Sequence, residues 1–509
     1  MIRVERKFVF GQISLTLNGM RSFGFPALVG LGITCAIGSV TCQRPAPPPA
    51  RPPATQPAPM SAKPSSSRPA IPQYGESTVV PSSGGPQTLR VGLSGDGAFG
   101  RFYERLQMLQ QLRAAKKPGS LERAARRALG SPRGRRVRVS VWGDSHIAGE
   151  ALVARLRGRL QQTLGDGGPG FVYVGRPWRS YRQLEVKLTE SRRGWRSERL
   201  WSHYTRRRPP PRDDLLGLGG ITVHSTQTAW ARVVPRDRKE SFAAVDVYYL
   251  RQPGGGRLVV QAGARRLRWI MTVASEKEPG FARIDLPPRT RSLELLAGAA
   301  GEVRLYGVDL DSGRSGVVVD AFGINGARAE VISRWNEELM KQQLARLGPD
   351  LIVLAYGSNE VDAENQTRER VAAGFDEALQ RMRRASPDAA CLVVGPPDQA
   401  RYSSEIGRWE VPAQLDILVE EQRRVARLRG CAFWNQRAAM GGPGSIFNWV
   451  RSDPPLARPD HVHLSWEGYR RVADALYDAL VEGWTRHRCR KTPDAPECSG
   501  ADRVVSSIR

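Results

Sequence analysis

A chain of 509 residues with 40% hydrophobic content is long enough for two or three domains around a sizeable core. Its formal charge of +27, carried mostly by Arg, would suit a nucleic-acid binder, but no zinc-finger spacing or RNA-binding motif appears. The charge then fits solvated faces, or an exported protein that meets an anionic envelope polymer.

Export is suggested at the N-terminus. Residues 23–40 are uncharged and mostly apolar, and Arg3, Arg6, Lys7 and Arg21 precede them. Residues 1–42 therefore read as a signal peptide or a membrane anchor, with Cys42 a candidate lipid-attachment site. Residues 43–90 are rich in Pro, Ala and Ser and cannot bury enough apolar surface to fold, so they read as an extended linker. The expected location is periplasmic or otherwise associated with the cell envelope.

Helical spacing of Phe102, Leu106, Leu109 and Leu112 predicts a helix over 99–115, and a second short helix is expected over 121–129. In 136–142, Val137, Val139 and Val141 alternate with Arg138 and Ser140, a period-two strand. The strand stops at Gly143-Asp144-Ser145, and Leu152, Leu156, Leu160 and Leu164 then mark a helix. The Gly-rich run 165–170 lacks the Lys-Ser/Thr of a phosphate loop and reads as a turn.

From 176 to 316 the texture changes to short alternating runs at 221–223, 230–234, 243–250, 258–262, 267–273, 282–286, 292–296 and 303–308, separated by Gly, Pro and Asp. Strands at that spacing predict an inserted β-sandwich. Its Trp195, Trp201, Trp230, Tyr248, Tyr249 and Trp269 are candidates for a sugar-stacking platform or for core. Beyond 317 strands and helices alternate again: strands at 317–320, 350–356, 389–394 and 431–434, helices at 330–347, 367–385, around 419–428 and at 466–484. This pattern predicts an α/β fold with a doubly wound parallel sheet, formed by 91–175 and 317–488 around the insert, with 489–509 as a tail. Cys489 and Cys498 bracket a Pro-containing tail loop and can close a small disulfide; Cys391 and Cys431, each in a buried strand, read as inert thiols.

Four strand-end or loop sites stand in order: Gly143-Asp144-Ser145-His146, Gly323-Ile324-Asn325-Gly326, Gly357-Ser358-Asn359-Glu360 and Asp460-His461-Val462-His463. Carboxyl ends of parallel strands share one edge of the sheet, so these sites can converge. Ser145 is a candidate nucleophile, His463 its base, and Asp460 the group that fixes the imidazole tautomer. The backbone amides of Ser145 and Gly326 and the side-chain amide of Asn359 are candidate oxyanion donors. His146 is a candidate substrate contact or a structural residue on the first helix turn, and His461 is expected to be exposed on the same loop as His463. No pair of the remaining His residues has metal-ligand spacing, so no metal or other cofactor is expected.

In these blocks the chain resembles the SGNH/GDSL hydrolases. Gly143-Asp144-Ser145, Gly326, Asn359 and Asp460-x-x-His463 match the family's four sequence blocks in order, and the resemblance extends over about 136–484. The variants Gly-Asp-Ser-His and Tyr-Gly-Ser-Asn-Glu, with an insert between the first two blocks, look like the peptidoglycan O-acetylesterase branch, whose members carry a carbohydrate-binding-module-like insert. The resemblance implies a three-layer α/β/α core, a serine esterase activity and the residue roles given above. Glu360 departs from the Asp usual at that position.

The leading expectation is an exported esterase that removes O-acetyl groups from an envelope polysaccharide, peptidoglycan first. The alternatives are a glycan O-acetyltransferase using the same triad and a non-catalytic glycan-binding surface protein. The expected partners are acetylated polysaccharide and, through an anchor, the membrane, with no nucleic acid.

Overall fold

In the computed structural model five parallel strands build the central sheet: β1 (Arg136–Gly143), β2 (Gly316–Gly323), β3 (Leu351–Ala355), β4 (Ala390–Val394) and β5 (Ala432–Trp434), in the order 2-1-3-4-5. The residues described are 90–114, 134–200, 211–361, 367–494 and 498. The expected signal or anchor, the linker and the helix at 121–129 lie outside them. Among the described residues no helix is long and apolar enough to cross a membrane.

Successive residues of a strand point to opposite faces, and both faces of this sheet are covered. Val139, Val141, Val319, Val353 and Leu392 join one apolar cluster with Leu156, Leu160, Val472 and Leu476. These come from helices over Ala151–Leu164 and Trp466–Lys491. Trp142, Phe322, Ile352, Leu354 and Val393 join a second cluster with Leu344, Phe375, Leu379 and Leu418, from helices over Glu337–Leu347, Arg368–Ala385 and Gln414–Leu428. The result is an α/β fold of three layers. Three of these helices are started by a residue whose side chain accepts an N–H of the first turn: Asn336 from Leu339, Thr367 from Arg370 and Ser465 from Gly468. Asn336 also explains why the helical pattern expected over 330–347 divides into a 3-10 turn (Ala329–Arg334) and a helix beginning at Glu337.

Between β1 and β2 the chain builds two antiparallel sheets. One orders strands Glu278–Thr290, Phe242–Arg251, Val303–Asp311, Ile221–Ser225 and Arg196–Arg199, with Gly170–Val172 added on Val303–Asp311. The other orders Val186–Glu190, Ala229–Pro235, Leu293–Ala297, Arg257–Ala262 and Arg265–Met271. Val245, Val247, Leu258, Val260, Leu293, Leu295 and Leu305 form one apolar cluster drawn from both. Tyr248 and Tyr249 are buried as core, Trp269 is 46% exposed, and Trp201 lies outside the described residues.

The polar side of β1 meets this antiparallel part instead of water. Every residue of β1 is buried. Arg138 donates to Asp320 at 2.7 and 2.8 Å and to Asp309 at 2.7 Å, Arg136 reaches Asp309 at 3.3 Å, and Ser140 donates to Asp320 at 3.0 Å. Charges this deep cost several kcal/mol each unless paired, so these partners fix how β1 sits against its neighbours.

The reading of Cys391 and Cys431 as free thiols is overturned: they form a disulfide, as do Cys489 and Cys498. Leu392 is register partner to Ala432, which brings the residues just before them side by side. Each strand considered alone gives no hint of that.

Candidate active site

In the order 2-1-3-4-5 the chain leaves β1 toward β2 on one side and returns to β3 on the other. A crevice therefore opens at the carboxyl ends of β1 and β3. The loops after β1, β2 and β3 end there. A Cβ at Gly143 would lie 2.4 Å from Cγ1 of Ile147 and 2.5 Å from the carbonyl of Ala355, so only glycine lets the turn fold down onto the sheet. Oδ1 of Asp144 then accepts the His146 N–H at 2.9 Å and starts the short helix Ser145–Ala148. The helix expected as one piece is broken here: Glu150, at φ 66°, separates Ser145–Ala148 from Ala151–Leu164.

Ser145 Oγ lies 3.0 Å from His463 Nε2, and His463 Nδ1 lies 2.9 Å from Asp460 Oδ2. The other carboxylate oxygen of Asp460 accepts the N–H groups of Val462 at 3.0 Å and His463 at 2.9 Å. Partial burial pushes the Asp460 carboxyl up, but those N–H groups and the His463 ring outweigh it and hold it below its ordinary value. An anionic Asp460 accepting from Nδ1–H leaves Nε2 as the basic nitrogen facing the serine hydroxyl.

Gly326 turns the loop after β2 at φ 72°, a backbone state glycine adopts without strain. Asn359, at the end of the loop after β3, donates Nδ2 to the carbonyl of Ala327 at 2.9 Å. Among the described residues its one other hydrogen-bonding neighbour is Asp144 Oδ2 at 3.5 Å, too long for a strong bond, so the second amide hydrogen is able to serve an incoming oxygen. Three side chains clamp this loop by its carbonyls: Gln422 on Tyr356 at 2.8 Å, Gln399 on Ser358 at 3.1 Å and Arg328 on Asn359 at 2.9 Å.

Two buried acids stand behind it. Burial raises the Asp144 carboxyl to about 7, against the N–H groups of His146 and Ser358 that lower it. Burial likewise raises Glu360 to about 8, aided by the charge of Asp144 and opposed by the Ala329 N–H, which Glu360 accepts at 2.8 Å. Glu360 thus pins the loop carrying Gly326 to the loop carrying Asn359.

Two histidine readings are corrected. His146 is buried, not presented to substrate: Nδ1 lies 2.9 Å from the Tyr469 hydroxyl, and its ring sits 5.4 Å from that of His463. Burial first, then the neighbouring His463, push it down to about 3, so it stays neutral and packs under the relay. His461 is also buried, with its ring stacked on Trp409 at 4.0 Å and tilted toward Phe447. Trp409 comes from a hairpin, Arg401–Ser403 paired with Arg408–Glu410, whose one cue in the sequence is Gly407, which turns at φ 65°. Among the described residues no group of three or more His, Cys, Asp or Glu could hold a metal.

A hydroxyl, an imidazole and a carboxylate in relay at a crevice of a doubly wound sheet are the groups that serine-dependent acyl transfer needs. The model of the GDSL-like lipase/acylhydrolase family matches residues 297–471, a span that contains Gly326, Asn359, Asp460 and His463. A solved peptidoglycan O-acetylesterase is 26% identical with a TM-score of 0.59, covering 75% of this chain and 96% of that chain. The chain belongs to the SGNH/GDSL superfamily, and it is a carboxylic ester hydrolase. A carbohydrate acetylesterase from Sinorhizobium meliloti (18% identical, covering 32% of this chain and 78% of that one) and an acetyl xylan esterase (19%, covering 32% and 80%) each give a TM-score of only 0.25. No curated relative matches the chain.

Proposed function

We propose that the chain is an exported esterase that removes O-acetyl groups from a cell-envelope glycan, peptidoglycan foremost. The observation that carries this is the unbroken relay Ser145 Oγ–His463–Asp460, at 3.0 and 2.9 Å, in a chain similar over most of its length to a peptidoglycan O-acetylesterase. In this reading Ser145 Oγ attacks the acetyl carbonyl carbon while His463 Nε2 takes its proton. Asp460 steadies the imidazolium through Nδ1. The oxyanion is held by the N–H groups of Ser145 and Gly326 and by Nδ2 of Asn359, one such donor contributing roughly 3 kcal/mol to the transition state. His463 returns the proton to the departing sugar oxygen, and a water activated by the same nitrogen releases acetate from Ser145.

Export is supported by the apolar segment at 23–40 and by two disulfides, which persist in oxidising compartments. Glycan binding by the antiparallel part is supported by a row across one sheet. Trp230, Leu296, Val259 and Trp269 are successive cross-strand partners, which sets the two indoles about 14 Å apart. Arg232 lies 5.6 Å from one ring, and Arg257 lies 4.5 Å from the other.

The test is acetate release from O-acetylated cell wall and from the same wall de-acetylated by mild base, with Ser145→Ala beside the wild type. Release confined to wild type on the acetylated wall is expected. Equal release by the variant sinks the assignment.

A further inference from the structure

After β4 the chain makes a short hairpin whose two strands pair with Tyr402 opposite Trp409. Directly opposed residues lie on the same face of a hairpin. Trp409 lays its ring on His461 at 4.0 Å and 30°, and Tyr402 meets Trp409 edge-on at 5.7 Å. The three rings form a row that starts two residues from His463 and runs outward. Its base is fastened to both sides of the site: Ala400 donates its N–H to the carbonyl of His461 at 2.9 Å, and Gln399 holds Ser358, the residue before Asn359.

The inner end of the row is closed and the outer end is open. His461 is 6% exposed, whereas Tyr402 is 53% and Ile406, in the turn, 49% exposed. Single exposed apolar residues are ordinary. Here two stand on one hairpin that is bound to the catalytic loop through a stacked ring. On the other side of His463 in the chain, Trp466 is 49% exposed with the Arg182 guanidinium 6.0 Å from its ring. The acetyl group itself is too small to need such surface. A pyranose is not: its axial C–H groups form an apolar face that packs on an aromatic ring, while its hydroxyls stay toward water.

We propose that the hairpin 401–410 is the wall on which the sugar bearing the ester rests, with Tyr402 in contact with the ring and the Trp409–His461 stack holding that wall in register with the relay. This rests on the glycan-esterase reading above and names the element that recognises the leaving group.

The experiment compares steady-state kinetics of the full chain on O-acetylated peptidoglycan oligosaccharides and on 4-nitrophenyl acetate. Tyr402 is exposed, so Tyr402→Ala is expected to fold, which a thermal melt checks. Its KM for the oligosaccharide should rise about tenfold with little change in kcat, and the loss of kcat/KM should be several times larger than on the small ester. Tyr402→Phe keeps the ring and should keep the wild-type KM. Equal losses on the two substrates, a fall in kcat alone, or no loss would overturn the hairpin assignment and leave the glycan reading standing. A wild type that cleaves the small ester yet releases no acetate from any O-acetylated glycan would overturn the glycan reading, and this proposal with it.

Discussion

Replacing Asp460 by Asn tests the relay with almost no change in shape. Oδ1 of Asp460 accepts two backbone N–H groups, from Val462 and His463, while Oδ2 faces His463 Nδ1 at 2.9 Å. An amide at this position must keep its oxygen on the two N–H donors, because an NH2 there would oppose them. Its nitrogen is then turned toward Nδ1. That makes Nδ1 an acceptor and moves the imidazole proton to Nε2, where it points at Ser145 Oγ and cannot accept a proton from it. Recovering the useful tautomer means flipping the amide and giving up both N–H bonds, about 1 kcal/mol each plus the cost of stranding the donors. The penalty is therefore at least ~3 kcal/mol, or more than a hundredfold in kcat, and a full tautomer block approaches ~10⁴-fold. Asp460→Ala offers no wrong-way donor, and water reaches this half-exposed site, so it should be less damaging than Asn. Burst and steady-state hydrolysis of 4-nitrophenyl acetate, with thermal melts as a fold control, measure this. An Asn variant within tenfold of wild type, or one more active than the Ala variant, would refute the reasoning.

Other consequences are independent of the carboxylate. Asn359→Ala should lower kcat on any acetyl ester about a hundredfold or more with little effect on KM, since its second amide hydrogen acts only on developing charge. A change confined to KM would remove it from the oxyanion site. Glu360 has a folded carboxyl raised to about 8 from 4.5, so the folded chain keeps a proton that the unfolded chain has lost. Its stabilising contribution is present at low pH and declines as pH rises from about 4.5 to 8. Glu360→Gln keeps the acceptor for Ala329 and should flatten urea-measured stability over that window by on the order of 5 kcal/mol, leaving the slope from the other raised acids, Asp144 among them; an unchanged slope would contradict this. Arg138→Ala leaves Asp320 and Asp309 without their closest cation and should cost about 3–5 kcal/mol, read as a lower melting temperature; a loss below 1 kcal/mol would mean the network is not what seats β1.

The parallel sheet is legible because β1 alternates, the other strands carry apolar runs, and each stops at or within two residues of Gly or Asn. The four loops that meet at its edge follow from that topology, since Ser145, Gly326, Asn359 and His463 each lie just past a strand or in a loop on the same side. What escaped is whatever depends on neighbours remote in sequence. Cys391 and Cys431 pair only because β4 and β5 are adjacent and in register. Arg136 and Arg138 have the period of a half-solvated strand, yet Asp309 from the antiparallel part makes that face interior. His461 lies in a loop with no periodic pattern, but Trp409, 52 positions earlier, covers it. The hairpin strands of three residues are too short to leave a periodic signal.

The central claim is that a hydroxyl after the first strand becomes acylated with the help of an imidazole 318 positions downstream. It is tested most directly by quenching a reaction on an O-acetylated glycan in acid and determining by mass spectrometry which residue carries the acetyl group. Acetate bound at Ser145 in the wild type, enriched when deacylation is slowed and lost in Ser145→Ala, is the predicted result. Turnover with the acetyl group on another residue, or undiminished turnover in Ser145→Ala, would contradict it.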